Sequence, residues 1–219
     1  MIERVYERAR QASSASRVVV ATDDAKIVEA VKAFGGDAIM TRNDHRTGTD
    51  RVAEVATHIE AEVYVNVQGD EPLVDPAAID AVANALLEDE SAAIATPIAA
   101  ITHKNDIMDP NVVKAVLDFD GNALYFSRAP IPWVRDTGGQ VSARHWKHIG
   151  IYGFRRAALL EFPTLPPGEL EHVEQLEQLR WLENGFRIRA VETEYEAVSV
   201  DVPEDVERVE KILRESGGE

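Results

Sequence analysis

The chain contains no cysteine, so neither disulfides nor thiolate chemistry can be invoked, which fits a reducing compartment. No apolar run approaches the ~20 residues that a membrane-spanning helix requires. The first residues, MIERVYERAR, are charged and lack the apolar core of a secretion signal. These absences together make the cytoplasm the expected location. Lysine is scarce, with six residues against seventeen arginines, and basic residues are outnumbered 23 to 39, for a formal net charge of −16. Such a surface disfavours nonspecific nucleic-acid binding and anionic membranes. An anionic substrate would need local compensation from a divalent metal or a few aimed cationic side chains.

What the chain does have is a core. Hydrophobic residues make up 45% of its 219 positions. There is no repeat, no low-complexity tract and no linker, so residues 1–219 read as one α/β unit with an excursion. The first half alternates short β-branched runs with helical patterns. Strands are predicted at RVVVAT (17–22), residues 37–40, VYVNV (63–67) and SAAIATPIA (91–99). Helices are predicted over 1–11, 25–34, 49–59 and 77–87, with Asp23-Asp24 and Gly35-Gly36 bounding the second. That alternation predicts a doubly wound, mainly parallel sheet. The second half is richer in β structure. Runs at 112–117 and 123–127 flank the hairpin turn Asp120-Gly121. A Pro- and Gly-bearing loop at 128–146 follows, then a strand at 148–154, a helix at about 171–183, a strand at 187–191 and an amphipathic helix at 203–214.

Several segments could carry chemistry. In VNVQGDEP (65–72) a strand runs into Gly69, and Asp70 falls at its carboxyl end, the edge where open α/β sheets bind ligands. A carboxylate there suits Mg²⁺, and equally suits a solvated turn. Asp201, in VDVPED (200–205), fits a helix start as well as a metal ligand. In TRNDHRTGTDR (41–51), Gly48 lies between two threonines at a helix start, suited to binding a phosphate or a base edge, or to ordinary capping. The 171–183 helix places Val173, Leu176, Leu179 and Leu182 on one face and Glu174, Glu177, Gln178 and Trp181 opposite. His148 and Tyr152, four apart on one predicted strand, would face the same side.

Taken in order, TRNDHRTGTDR, VNVQGDEPLV, DPNVVKAVLD, ALYFSRAPIPW, HIGIYGFRR, LEHVEQLEQLR and VDVPEDVERV make a chain that resembles, from first helix to last, the CMP-Kdo synthetases (3-deoxy-manno-octulosonate cytidylyltransferases). ALYFSRAPIPW and HIGIYGFRR are the segments most particular to that family. The resemblance implies a nucleotide-diphospho-sugar transferase fold, a homodimer, and transfer of CMP from CTP to Kdo with Mg²⁺. It places metal on Asp70 and Asp201, the nucleotide on Thr47, Gly48, Thr49 and Gln68, and the sugar on Arg128, His148, Tyr152, Glu177 and Gln178. Arg128 and His148 would offer donors to the sugar carboxylate, and approximately residues 128–186 would form a sugar-binding and dimerisation excursion.

The chain departs from the family pattern at three places. Thr47 stands where serine is commoner, and Val202 replaces a polar helix cap. The family's opening strand and basic, glycine-containing phosphate loop have no counterpart here. That last departure predicts a gap between the RVVVAT and VYVNV strands and a chain that, as written, does not turn over CTP. Alternative readings are a non-catalytic remnant of the family, or a cytidylyltransferase for another acid sugar such as a sialic acid.

Overall fold

Side-chain caps start three helices of the first half, and the computed structural model shows them in place. It describes residues 1–135, 145–195, 197–200 and 202–216. The order is α1 (Ile2–Ala9), β1 (Val20–Thr22), α2 (Ala25–Ala33), β2 (Ala38–Met40), α3 (Gly48–His58), β3 (Val63–Asn66), α4 (Pro76–Glu88) and β4 (Ile94–Ala100). There follow α5 (Lys104–Met108), β5 (Lys114–Leu117), β6 (Ala123–Ser127), β7 (Trp146–His148), β8 (Tyr152–Arg155), α6 (Arg156–Glu161) and a 3-10 turn (Phe162–Thr164). The chain continues through α7 (Glu169–Glu174), α8 (Gln178–Glu183), β9 (Ile188–Glu192) and α9 (Pro203–Ser216). Asp24 accepts from the Lys26 amide at 2.8 Å, Thr47 from Asp50 at 3.1 Å and Asp75 from Ala77 at 2.9 Å. Each satisfies an amide that the first helical turn leaves without an internal partner.

The main sheet is mixed, which corrects the mainly parallel expectation. Its order is β3-β8-β4-β7-β5-β6, with β9 also paired to β4. The first-half strands β3 and β4 are not neighbours, because β8 lies between them and runs antiparallel to both. β7 likewise enters antiparallel between β4 and β5. Among the described residues only β1–β2 and β4–β9 pair in parallel. The excursion therefore supplies central strands of the sheet rather than a separate layer.

β4 shows how the layers form. Ile94 and Ile98 join a core with Phe126, Phe154, Phe162, Leu179 and Trp181. Ala95 and Ala99, on the opposite face, join α1 and α4 through Val5, Ile79, Val82 and Leu86. This is period-two alternation with both faces buried. Gly153 of β8 permits the close approach of α4, since a Cβ there would lie 2.5 Å from Val82 Cγ1.

Two predicted elements are broken. The single strand expected over 148–154 is two strands that keep one direction, because a tight kink at Ile149–Ile151, with the Ile151 amide donating to Ile149 O at 2.8 Å, interrupts the ladder. The single helix expected over 171–183 is α7 and α8, because Gln175 is left-handed at φ 53°. The break rotates the faces. Val173, expected to be inward, is 71% exposed, while Trp181, expected on the polar stripe, is 1% exposed and packs against Phe154, Phe162 and Phe186.

β1 and β2 form a separate two-stranded sheet that does not pair with β3. Between them lies a cavity of about 830 Å³ lined by residues 18–21 on one side and 63–69 on the other. It occupies the place where the sequence predicts a gap.

Candidate active site

β3 delivers its carboxyl end to the site. Asn66 lies beside the start of α3, with its Nδ2 3.6 Å from where a Cβ on Gly48 would stand. Past β3, Gln68 and Gly69 are exposed and Asp70 is half-buried. The Asp70 carbonyl accepts from the Val200 amide at 2.9 Å, which draws the segment before α9 to the end of β3. Asp201 lies outside the described residues. Glu71, which the sequence reading passed over, is 5% exposed and accepts from the Tyr195 hydroxyl at 3.2 Å. Burial raises its carboxyl, against the pull of that hydrogen bond, and the neighbouring Asp70 charge adds to the rise.

The α3 end and the α7–α8 junction meet directly. Thr49 is 1% exposed and donates its hydroxyl to Glu177. Burial raises the Glu177 carboxyl, and hydrogen bonds from Thr49 and Thr47 offset only part of that rise. Gln178, at the first position of α8, is 4% exposed, and among the described residues its Nε2 is buried with no hydrogen-bond partner. An amide N–H left so costs about 1–3 kcal/mol, which makes it a ready donor to a ligand oxygen.

His148 and Tyr152 come from different strands, yet their rings still meet, with centroids 5.3 Å apart. Phe126 closes the other side of the imidazole edge-on at 5.0 Å. Part of the His148 residue remains accessible, but the packing around its ring lowers the pKa to about 3 by desolvation. The lowered pKa favours the neutral ring, which leaves Arg128 as the cationic member of the expected donor pair. Burial, with the Glu177 charge nearby, pushes the Tyr152 phenol well above its usual value. His148 Nε2 lies 2.9 Å from Oγ1 of Thr96, a fully buried hydroxyl on β4. The sequence reading missed Thr96, although a lone hydroxyl inside SAAIATPIA was a visible signal.

Arg128 stands at the edge of this group. Its Nε, Nη1 and Nη2 donate to the carbonyls of Glu174, Pro110 and Gln175 at 2.9, 3.0 and 3.4 Å. A guanidinium has five N–H groups, so hydrogens on Nη1 and Nη2 remain for a ligand. The Arg128 carbonyl accepts from Lys114 Nζ at 2.6 Å, and the same buried ammonium donates to Asp109 O and Val112 O.

No set of three His, Asp or Glu side chains among the described residues could hold a metal alone. The oxygen donor of Asp70 still fits Mg²⁺, which commonly takes one or two protein carboxylates and completes its shell with phosphate and water.

Residues 1–192 match the family model described as cytidylyltransferase. The chain is 51% identical over 216 residues to the 3-deoxy-manno-octulosonate cytidylyltransferase of Solibacter usitatus, covering 99% of this chain and 85% of that protein. It is 49% identical to the same-named protein of Geobacter sulfurreducens, covering 98% and 89%. The solved structure of a CMP:2-keto-3-deoxy-manno-octonic acid synthetase complexed with CTP superposes with a TM-score of 0.92 at 42% identity, covering 98% of this chain and 88% of that one. A 4-diphosphocytidyl-2C-methyl-D-erythritol synthase from Anaerococcus prevotii, at 12% identity and a TM-score of 0.65, shares the fold. The chain belongs to the cytidylyltransferase family and, within it, to the CMP-Kdo synthetases. The chain spans 85–89% of the length of these curated relatives.

Proposed function

We propose that this chain transfers CMP from CTP to the anomeric hydroxyl of 3-deoxy-manno-octulosonate, releasing pyrophosphate and so supplying the activated sugar for lipopolysaccharide synthesis. One observation carries the assignment of residues. The Thr49–Glu177 contact brings the helix start that resembles the family's nucleotide loop against the residues that resemble its sugar site. Thr47, Gly48, Thr49 and Gln68 hold the nucleotide in this reading. Arg128 uses its remaining N–H groups for the sugar carboxylate, while Glu177, Gln178, Tyr152 and His148 bind hydroxyls and the ring. Bound Mg²⁺ would be held by Asp70 and Asp201 and would neutralise charge on the phosphates. The Val200–Asp70 main-chain bond supports that pairing.

The reaction itself forms a bond from the anomeric oxygen to the α-phosphorus and breaks the bond to the β-phosphate oxygen. Such a displacement depends mainly on holding the two reactants in line. Gly48 and Thr49 do that from α3, Gln178 from α8, His148 from β7 and Tyr152 from β8, and Thr47, Gln68, Arg128 and Glu177 from segments that adjoin regular elements. The 128–186 segment also presents the surface through which we expect two copies to pair.

The test is pyrophosphate release with CTP, Mg²⁺ and either Kdo or a sialic acid. Turnover with Kdo is expected to exceed turnover with sialic acid, and Asp70→Asn is expected to lose about a hundredfold or more while its circular dichroism is unchanged. Equal rates with the two sugars, or a fully active Asp70→Asn, would overturn the reading.

A further inference from the structure

We propose that Thr96 fixes the tautomer of His148, so that His148 meets the sugar as a hydrogen-bond acceptor for one hydroxyl and not as a donor to its carboxylate. This deepens the reading of the sugar site above and rests on it.

The argument is a count of hydrogens around one oxygen. Thr96 Oγ1 lies 2.8 Å from Ile151 O, 3.2 Å from Ile149 O and 2.9 Å from His148 Nε2. A hydroxyl has one hydrogen, and a carbonyl can only accept. If Nε2 took that hydrogen, the lone pairs of Oγ1 would face two carbonyl oxygens in a buried place with nothing between them. The hydrogen therefore goes to Ile151 O, the nearer carbonyl, and Oγ1 accepts from Nε2–H. In a neutral imidazole one nitrogen donates and the other accepts, so Nδ1 carries the lone pair.

The surroundings hold this arrangement. Phe126 and Tyr152 pack against the imidazole, so the ring cannot exchange its nitrogens by turning over freely. The His148 amide is bound to Val113 O at 2.9 Å, which fixes the backbone beneath it. Burial lowers the pKa of the ring to about 3 and so favours its neutral form. The break at Ile149–Ile151 also gains a purpose. Ile149 and Ile151 turn their carbonyls to one threonine hydroxyl, and only a break in the strand lets both do so. An exposed Nδ1 lone pair repels a carboxylate and attracts an alcohol. A sugar acid rich in hydroxyls has such a partner to offer, and its carboxylate is left to Arg128. Thr96 is thus a positioning residue that acts through His148.

The experiment uses the full chain labelled with ¹⁵N-histidine, with the His148 resonances assigned by their loss in His148→Asn. The wild type is expected to show a protonated Nε2 and an unprotonated Nδ1, and added Kdo is expected to shift Nδ1. Thr96→Val should move the ring toward the other tautomer and raise the KM for Kdo about tenfold, the loss of one hydrogen bond, with the KM for CTP within about twofold. Thr96→Ser should restore both the tautomer and the KM for Kdo. A wild-type ring protonated on Nδ1, an Nδ1 resonance that ignores Kdo, or a Thr96→Val variant that changes both KM values alike would each overturn the proposal. The tautomer is read without turnover and without any variant at Thr96. Absence of CMP-Kdo formation by the wild type would therefore sink the proposed function separately, while the resonances still decide the hydrogen-bond assignment.

Discussion

Thr49 donates its hydroxyl to the carboxylate of Glu177, 128 residues further along the chain. One partner starts α3 and the other ends the left-handed turn before α8, so a single hydrogen bond ties the nucleotide-side loop to the sugar-side helix. Thr49→Val and Glu177→Gln are each expected to lower kcat/KM for both substrates. Residues in one hydrogen bond couple, so the double variant should lose less than the two single losses together, by about 1 kcal/mol. Full additivity in that cycle would show that the contact carries no communication between the two halves of the site.

Asp80 joins α4 to the segment after α1 and gives the fold an acid-sensitive clasp. Ser13 and Ser14 each donate both an amide and a hydroxyl to its carboxylate, at 2.6–3.0 Å. Burial pushes the carboxyl up, but the four hydrogen bonds outweigh it and hold the pKa at about 2, below the ordinary 3.8. A carboxyl depressed by folding adds stability above its unfolded pKa and loses it as the pH falls toward the folded value. The contribution is therefore full at pH 7 and fades between about 3.8 and 2. After discounting for solvent screening of this partly exposed carboxylate, Asp80→Asn should cost about 1 kcal/mol in urea unfolding at pH 7, and the gap to wild type should narrow at pH 3. A gap that stays constant with pH would show that the hydrogen bonds do not depend on the charge.

How far the sequence could be read depended on whether a feature was local. Asp24, Thr47 and Asp75 cap their helices as their positions suggest, because a cap involves only a few neighbouring residues. The Asp120-Gly121 hairpin formed for the same reason, with Gly121 at φ 82°. Strand direction was not local. β3 and β4 look like neighbours in a parallel sheet until β8, whose residues pair with β4 across 58 or 60 positions (Ala95 with Gly153, Ile94 with Phe154), separates them. The break at Ile149–Ile151 was marked only by Gly150, an isolated glycine inside a strand pattern, and the one at Gln175 interrupts a run with an intact apolar pattern and no proline. Motif resemblance placed Thr47, Thr49, His148, Tyr152, Glu177 and Gln178 in one neighbourhood, and the Thr49–Glu177 and His148–Tyr152 contacts join members of that set. Periodicity alone could not have done this, since it put Trp181 on the solvent side of a helix that does not run through.

Gln178 offers a test in which stability and binding move in opposite directions. Its side chain is buried, and its Nε2 has no hydrogen-bond partner among the described residues. Such a donor opposes folding by about 1–3 kcal/mol relative to a satisfied one, and the opposition disappears when a ligand oxygen arrives. Gln178→Met keeps the length of the side chain and removes the buried amide. In the free protein the variant should be as stable as wild type or up to about 1 kcal/mol more stable, read from urea midpoints at unchanged m-value. With the sugar present it should bind about tenfold or more weakly, because the site no longer gains a bond that the free protein lacked. CTP binding should be unaffected, since in our reading this side chain serves the sugar. A Gln178→Met variant that is destabilised yet binds Kdo normally would mean that the amide is paired within the protein, and the sugar contact would have to be reassigned to another residue of α8.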